Sequence, residues 1–402
     1  MNKRKILFVD DDELVLKAIN RSTREMRQEW DVAFASDGHL ALQMMSDVNF
    51  DVIVTDLSMP RMSGMDLLAQ VKETYPGVIR IVLSGDPDQH NPHKVAGSAH
   101  QYLTKPCSSA RLRETIQQAC ARKENVDHDG LEVLVSKLGG LPSLPTLYQK
   151  IMVEVQRRNT SLKNIGDIIA KDMSMTSKLL QMVNSPFFGL TRKVSNPAHA
   201  CRLLGLETVK ALVLTSKIFS EFETCHIGRF DLTKLWKHSL SVANFARIIA
   251  QEAGAKQDTI DAAFTSGLLH DVGKLILSSN LPADYDRALL LYEQEGGHLF
   301  EAERTIFHST HAAVGAYLVD LWGLPQQIGD GIANHHHPER NTTAILSTAL
   351  VVHVANQISY DLSEEADPSQ LNFDYLHQLG LVDMLESWKE KCAKTRHQKL
   401  TL

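Results

Sequence analysis

Asp51-Val52-Ile53-Val54-Thr55-Asp56-Leu57-Ser58-Met59-Pro60 decides how the N-terminal third of the chain is read. Its apolar residues are consecutive instead of alternating, which suits a parallel strand covered on both faces. The run closes on a carboxylate, Asp56, where strand gives way to loop. In open α/β sheets, ligands gather outside such strand ends. On either side, strand-like runs at Ile6–Val9, Val32–Ala35, Ile81–Ser84 and Tyr102–Thr104 alternate with amphipathic stretches. Five βα repeats predict an α/β doubly wound, five-stranded parallel sheet over residues 1–122.

Polar residues fall at matching strand ends. Asp10 and Asp11 close the first strand, Asp56 the third, Ser84 the fourth, and Lys105 follows the fifth. Three carboxylates on one edge repel each other unless a divalent cation sits among them. A site of few carboxylates with room for water and a phosphoryl oxygen suits Mg²⁺. In that setting Asp56 is the candidate nucleophile toward a phosphoryl group, and Lys105 neutralises the transferring charge. Ser84 is placed to donate a hydrogen bond to the phosphate once it has arrived.

These residues stand in Phe8-Val9-Asp10-Asp11, Thr55-Asp56-Leu57-Ser58-Met59-Pro60 with Gly64, Leu83-Ser84-Gly85 and Tyr102-Leu103-Thr104-Lys105-Pro106. In them the segment resembles the receiver domain of bacterial response regulators. The resemblance implies a flavodoxin-like sheet with strand order 2-1-3-4-5 and Mg²⁺ on Asp10, Asp11 and Asp56. It implies phosphotransfer to Asp56 from a sensor histidine kinase or phosphotransfer protein, and a cis Lys105–Pro106 bond. Tyr102 takes the place of the aromatic that swings inward when Ser84 turns toward the phosphate.

The chain has 402 residues, 22% of them charged and 43% apolar, the profile of a soluble globular protein with room for two or three domains. A net charge of −6 provides no basic field for nucleic acid or anionic lipid. Five scattered cysteines without a CxxC argue against a disulfide framework. The basic N-terminus leads into a strand and an acidic cluster, not a signal h-region, and no apolar run is long enough to span a bilayer. A cytoplasmic address is expected.

Leu112, Ile116 and Cys120 fit one helical face, and residues 123–130 read as a polar turn. Leu131, Leu134, Val135 and Leu138 resume a stripe that stops at Gly139-Gly140. Residues 123–141 are thus expected to be a linker with a hinge helix. Beyond it the pattern is all-helical: Thr146–Arg157, Leu162–Asp172, Met175–Val183, Ala198–Leu204 and Glu207–Phe219, with Asn196-Pro197 as a helix start. Asn184 and Ser185 are expected to cap neighbouring helices. A DNA-reading helix-turn-helix around Gly205 is disfavoured, because its second helix has mostly Val, Leu and Ala where groove readout wants Arg, Asn or Gln.

Histidines concentrate after residue 223. His238, His311 and Asn356 fall on apolar stripes, His270-Asp271 precedes Val272-Gly273-Lys274, and His335-His336-His337 ends a short apolar stretch. Several inward imidazoles with one carboxylate point to a metal site in a helical core. Such donors suit Fe, Mn, Zn or Ni, and a metal so held activates water against a phosphodiester.

The ordered set His238, His270-Asp271, His311 and His335-His336 resembles the HD phosphohydrolase superfamily. With Leu144-Pro145, Asp172, residues 184–189, Leu204-Gly205 and Trp322-Gly323-Leu324-Pro325, it is specifically similar to the HDOD family over residues 131–360. That family is regarded as mostly non-catalytic, acting in signalling output. The superfamily pattern ends in an aspartate where this chain has Asn356, and relatives that cleave cyclic di-GMP carry a Gly-Tyr-Pro element where it has His337-Pro338-Glu339-Arg340. Lys274 keeps the position that touches phosphate in active relatives. Residues 361–402 read as an acidic loop and a helix near Leu381–Lys391.

The combined expectation is a two-component response regulator, phosphorylated on Asp56 and signalling through a helical output domain to a downstream protein, with a homodimer as one form. The alternative is a receiver-controlled, metal-dependent phosphohydrolase of cyclic di-GMP or a nucleotide.

Overall fold

The structure, a computed structural model, describes residues 3–84, 98–105, 107–125, 128–138, 141–142, 144–155, 157, 160–185, 188, 193–223, 230–341, 346–363 and 371–397. Pro106, Gly85, Gly139-Gly140, Pro186-Phe187, Gly189 and the acidic residues 364–367 lie outside it. So do the side chains of Ser84 and Tyr102, on which the expected switch rests. Contacts divide the chain into two compact units: Met1–Val153 with Asp320–Gly323, and Glu154–Val319 with Leu324–Leu402.

In the first unit, β1 (Arg4–Val9), β2 (Trp30–Ala35), β3 (Val52–Thr55), β4 (Ile79–Ser84) and β5 (Gln101–Thr104) form one sheet in the order β2-β1-β3-β4-β5. Four parallel ladders join them. The consecutive apolar runs behave as their pattern requires: Ile6 to Phe8 and Val52 to Val54 are buried, with Leu7 and Ile53 packed against helices Gly38–Asp47 and Gly64–Thr74, and helix Glu13–Ser22 follows β1. Asp12, Asp37 and Ser63 cap those helices with side-chain oxygens on main-chain N–H groups. The third aspartate of Asp10-Asp11-Asp12 is therefore spent on a cap.

Register positions the strand ends. Val9 pairs with Thr55, and the Asp56 N–H donates to the Val9 carbonyl at 2.9 Å, so Asp10 and Asp56 leave the sheet side by side. Ser84 pairs with Thr104, the residue before Lys105.

One expectation is corrected between the domains. Helices Ser109–Asn125 and His128–Lys137 run through most of the stretch expected as a polar turn. The apolar stripe marks only a buried face, and Arg122-Lys123-Glu124 are good helix formers that extend the helix past it.

The second unit is helical. Its expected helices appear at Leu162–Ala170, Met173–Val183, Pro197–Leu204 and Leu206–Phe222, with Thr146–Val155 preceding them. Asn196 caps its helix with Pro197 at the first position, as the dipeptide predicts. Asn184 does not cap with its side chain; its amide grips the main chain of Val194 through both Nδ2 and Oδ1, at 2.8 and 2.7 Å. Ser185 Oγ is buried without a partner among the described atoms.

The core is built on Leu232–Glu252 and Thr348–Asp361, whose Val242, Phe245, Ile249, Val351 and Val354 pack in one cluster. Leu376, Trp388 and Cys392 belong to that cluster, so the C-terminal helices close the core instead of trailing from it. No described helix is long and apolar enough to cross a membrane.

Candidate functional sites

At the carboxyl edge of the sheet, the Lys105 ammonium lies 2.6 Å from Asp56 Oδ1 and 2.6 Å from Asp10 Oδ2. The other Asp56 oxygen accepts the Ser58 N–H at 2.6 Å, and Asp10 Oδ1 accepts that of Asp12 at 3.0 Å. Asp10 and Asp56 are buried, whereas Asp11 is exposed. Burial pushes the Asp10 carboxyl above its ordinary value despite the Lys105 hydrogen bond. For Lys105, burial works to lower the pKa, but the bonds to Asp10 and Asp56 leave it raised and the side chain charged. Gly64 makes the geometry possible: a Cβ there would come within 1.9 Å of the Asp56 carbonyl oxygen.

In the helical unit, Asp271 is the hub. Its Oδ1 lies 3.2 Å from His311 Nε2; its Oδ2 lies 3.3 Å from His270 Nε2, 3.9 Å from His238 Nε2 and 2.8 Å from Lys274 Nζ. His335 and His336 lie beside them, their rings tilted 43° to one another with centroids 4.0 Å apart, and His336 Nε2 reaches 3.1 Å from His311 Nε2. The donors fall into two groups that could each hold an ion: His311, His335 and His336, and His238, His270 and Asp271. Gly273 lets the helix carrying Lys274 close on His311, since a Cβ there would stand 2.0 Å from the His311 carbonyl oxygen.

Three imidazoles are aimed by the same device. His270 Nδ1 faces the Gly267 carbonyl at 2.9 Å, His335 Nδ1 that of Ile332 at 2.7 Å, and His311 Nδ1 the Glu303 carboxylate at 2.6 Å. With the Nδ1 proton donated to a carbonyl, the Nε2 atoms of His270 and His335 present lone pairs inward. Burial works to lower the His311 pKa, but Glu303 and Asp271 leave it raised. That favours a ring that donates from both nitrogens, Nδ1 to Glu303 and Nε2 toward Asp271 Oδ1. The Nε2 atoms of His238, His270 and His335 are buried without a hydrogen-bond partner. Buried polar atoms are rarely left so, and imidazole lone pairs around a carboxylate are a donor set that fits a divalent transition metal. Burial and neighbouring imidazoles hold His335 and His336 well below the usual pKa, and burial followed by His270 takes His238 down to about 3. Burial opposes the Asp271 charge, yet His270, Lys274 and His311 hold its carboxyl well below the ordinary range.

Two family models match this chain: the response regulator receiver domain over residues 6–117 and the HDOD domain over 141–338. The chemotaxis protein CheY of Pseudomonas aeruginosa is 34% identical over 122 residues, 29% of this chain and 97% of that protein. The chain belongs to the response regulators, as a receiver domain joined to an HDOD domain. An HDOD domain protein of Geobacter sulfurreducens is similar in structure at a TM-score of 0.52 and 21% identity, covering 71% of this chain and 99% of that one. A putative phosphohydrolase of Shewanella amazonensis has a TM-score of 0.52 at 24% identity, covering 65% and 93%. At these identities the likeness is one of fold. An uncharacterised protein of Treponema pallidum is 22% identical over 204 residues, 51% of this chain and 39% of its own length.

The HDOD domain holds one site residue that the sequence did not disclose. Glu303, fully buried on helix Leu299–Phe307, accepts both the His311 main-chain N–H at 2.8 Å and its ring nitrogen at 2.6 Å. Asn356 is buried beside His238 with its Oδ1 unpartnered. A cleft of ≈ 480 Å³ opens next to the cluster, lined by residues that include Phe300, His336, His337, Asn356 and Phe373.

Proposed function

We propose that this protein is a phosphorelay response regulator in which Asp56 accepts the phosphoryl group and the HDOD domain passes the signal to another protein. The observation that carries the reading is the Lys105 ammonium held 2.6 Å from both Asp10 and Asp56 at the ends of parallel strands. Asp56 Oδ attacks phosphorus as the P–N bond to the donor's phosphohistidine breaks and the imidazole leaves, giving an acyl phosphate, and Lys105 meets the charge that develops on the phosphoryl oxygens. The Ser58 N–H fixes the orientation of the attacking carboxylate. Mg²⁺ on Asp10, Asp11 and Asp56 supplies further neutralisation when bound. Phosphorylation adds about one and a half to two negative charges at the strand ends; Ser84 and Tyr102 are the residues through which that charge is sensed. A sensor histidine kinase or phosphotransfer protein is the donor class, and a homodimer and a cytoplasmic address accompany the reading. Incubation with a small phosphodonor and Mg²⁺ tests it: the wild type gains one phosphoryl group per chain and Asp56→Asn gains none. Undiminished labelling of the variant refutes the assignment.

A second reading is favoured by the unpartnered Nε2 atoms of His238, His270 and His335: a metal-dependent phosphohydrolase acting on cyclic di-GMP or a nucleotide. The residues that would hold the ion are His238, His270, Asp271, His311, His335 and His336, and the metal supplies activation of water. Lys274 is the phosphate contact in that scheme. Asn356 in place of an aspartate, and the absence of Gly-Tyr-Pro after the paired histidines, weigh toward non-catalytic output. Turnover of a generic phosphodiester that disappears in His270→Ala would move the assignment to the enzyme.

A further inference from the structure

The cleft that opens beside the histidine cluster combines aromatic rings with hydrogen-bond acceptors. Phe300, one of its lining residues, is buried with its ring 4.4 Å from that of His336. Phe373 lines it too and is 59% exposed. That exposure is built in, because the main chain beside it is tied down. Asn372 donates its N–H to His353 Nε2 at 3.1 Å and its side-chain amide to Glu339 at 3.0 Å.

The polar atoms here wait for donors. The exposed Glu301 and Asp374 carboxylates line the cleft and form no ion pair or side-chain hydrogen bond among the described residues. Both lie in the first turn of a helix, where an acid is stable without a guest. The buried atoms are the stronger sign. Asn356, 5% exposed, has an Oδ1 with no hydrogen-bond partner, and so has the buried His337 Nε2. His337 Nδ1 faces Glu339 Oε1 at 3.3 Å, which takes the ring proton and leaves Nε2 a lone pair. Buried polar atoms are rarely left unmatched. Among the described lining residues there is no lysine or arginine; Arg304 and Arg340 bear on His337 from outside the cleft.

Acceptors beside aromatic faces, with no cation among them, suit a planar guest that only donates. A guanidinium has five N–H donors and no acceptor, stays charged, and stacks on aromatic rings. A phosphate would meet two carboxylates and no counter-charge. We propose that this cleft is the docking site for an arginine side chain presented by a downstream protein, its plane among the Phe300 and Phe373 rings and its N–H groups turned to the carboxylates and the buried acceptors. The proposal rests on the reading of the HDOD domain as a protein-binding output and adds the chemistry of its partner.

The test uses the full chain with 4-fluorophenylalanine in place of phenylalanine, the Phe300 and Phe373 resonances being assigned with Phe300→Leu and Phe373→Leu. N-acetyl-arginine amide is the probe, compared with its lysine and glutamine counterparts and with guanosine monophosphate. The arginine probe is expected to move both fluorine resonances along a saturating curve. The lysine probe should bind more weakly, and the other two should move neither resonance. Glu301→Gln combined with Asp374→Asn, both exposed positions, is expected to weaken arginine binding about tenfold. Resonances that stay in place, or a double variant that binds as tightly as wild type, overturn the proposal and leave protein output standing. A dimer that dissociates as the probe binds would make the guest an arginine of a second copy and overturn the assignment to a downstream protein. Saturable binding of the nucleotide in place of arginine overturns the protein-output reading as well, which separates the two failures.

Discussion

Glu303 holds His311 at two points, accepting its ring nitrogen at 2.6 Å and its main-chain N–H at 2.8 Å. A fully buried carboxylate spent on one histidine fixes both the backbone and the ring that reach the cluster. Partners of this kind are worth about 10–100-fold in metal affinity. Glu303→Ala should weaken Co²⁺ binding in that range, measured by competition with a chromophoric chelator. Glu303→Gln, whose amide oxygen still accepts a hydrogen bond, should recover most of the loss. Equal affinity in the alanine variant would show that the contact serves folding only.

Gly64 abuts the loop that carries the proposed acceptor, with room for no Cβ beside the Asp56 carbonyl. Overpacking of this kind costs about 1–3 kcal/mol. Gly64→Ala should lower stability by that amount in a urea titration and slow phosphodonor labelling of a still-folded receiver. A variant as stable and as fast as wild type would contradict so close an approach of the Gly64 helix to the Asp56 loop.

The receiver should lose stability in mild acid through His100. It is buried against Arg80, with its Nε2 2.7 Å from the guanidinium. Burial first, and then the Arg80 charge, hold its pKa well below the ordinary histidine value. The folded state therefore keeps His100 neutral, while the unfolded chain takes up a proton below about pH 6.5. The contribution is complete above that pH and is lost as pH falls toward the depressed folded value. Hydrogen-exchange protection of β4, corrected for intrinsic rates, should drop between about pH 7 and 5, and His100→Asn should flatten the drop.

Trp388 sits in the helical core at 1% exposure. Trp388→Ala should destabilise that domain by about 3–5 kcal/mol, the usual cost of emptying an aromatic from a core. Truncation before residue 371 should have a comparable effect, read in the second transition of a denaturant titration. An unchanged transition would mean that the C-terminal helices are accessory.

The receiver sheet was legible because its polar residues stand at strand ends: residue type and strand position bring Asp10, Asp56 and Lys105 to one edge, and the parallel register does the rest. Asp12 could not be told from its neighbours, since a capping carboxylate and a ligand look alike in sequence. His238 and His311 were legible as polar residues on apolar stripes, and His270-Asp271 and His335-His336 through the ordered set they complete. Glu303 was not, because its helix has Glu301 and Arg304 beside it and reads as a solvated face. Its spacing from Phe300 and Phe307, three before and four after, is the signal that places it inward. Leu385, Trp388 and Cys392 have the same kind of spacing, on the packing helix expected near Leu381–Lys391 and found at Leu385–His397. What the sequence could not supply is the asymmetry around Asp271, which depends on where Lys274 comes to rest.

The most direct measurement treats the full chain with a small phosphodonor and Mg²⁺, reduces the acyl phosphate with borohydride, and locates the resulting homoserine by peptide mass spectrometry. The account predicts homoserine at position 56 alone. Homoserine at position 10 or 11, or a chain that yields none under conditions that label an authentic receiver, would contradict it.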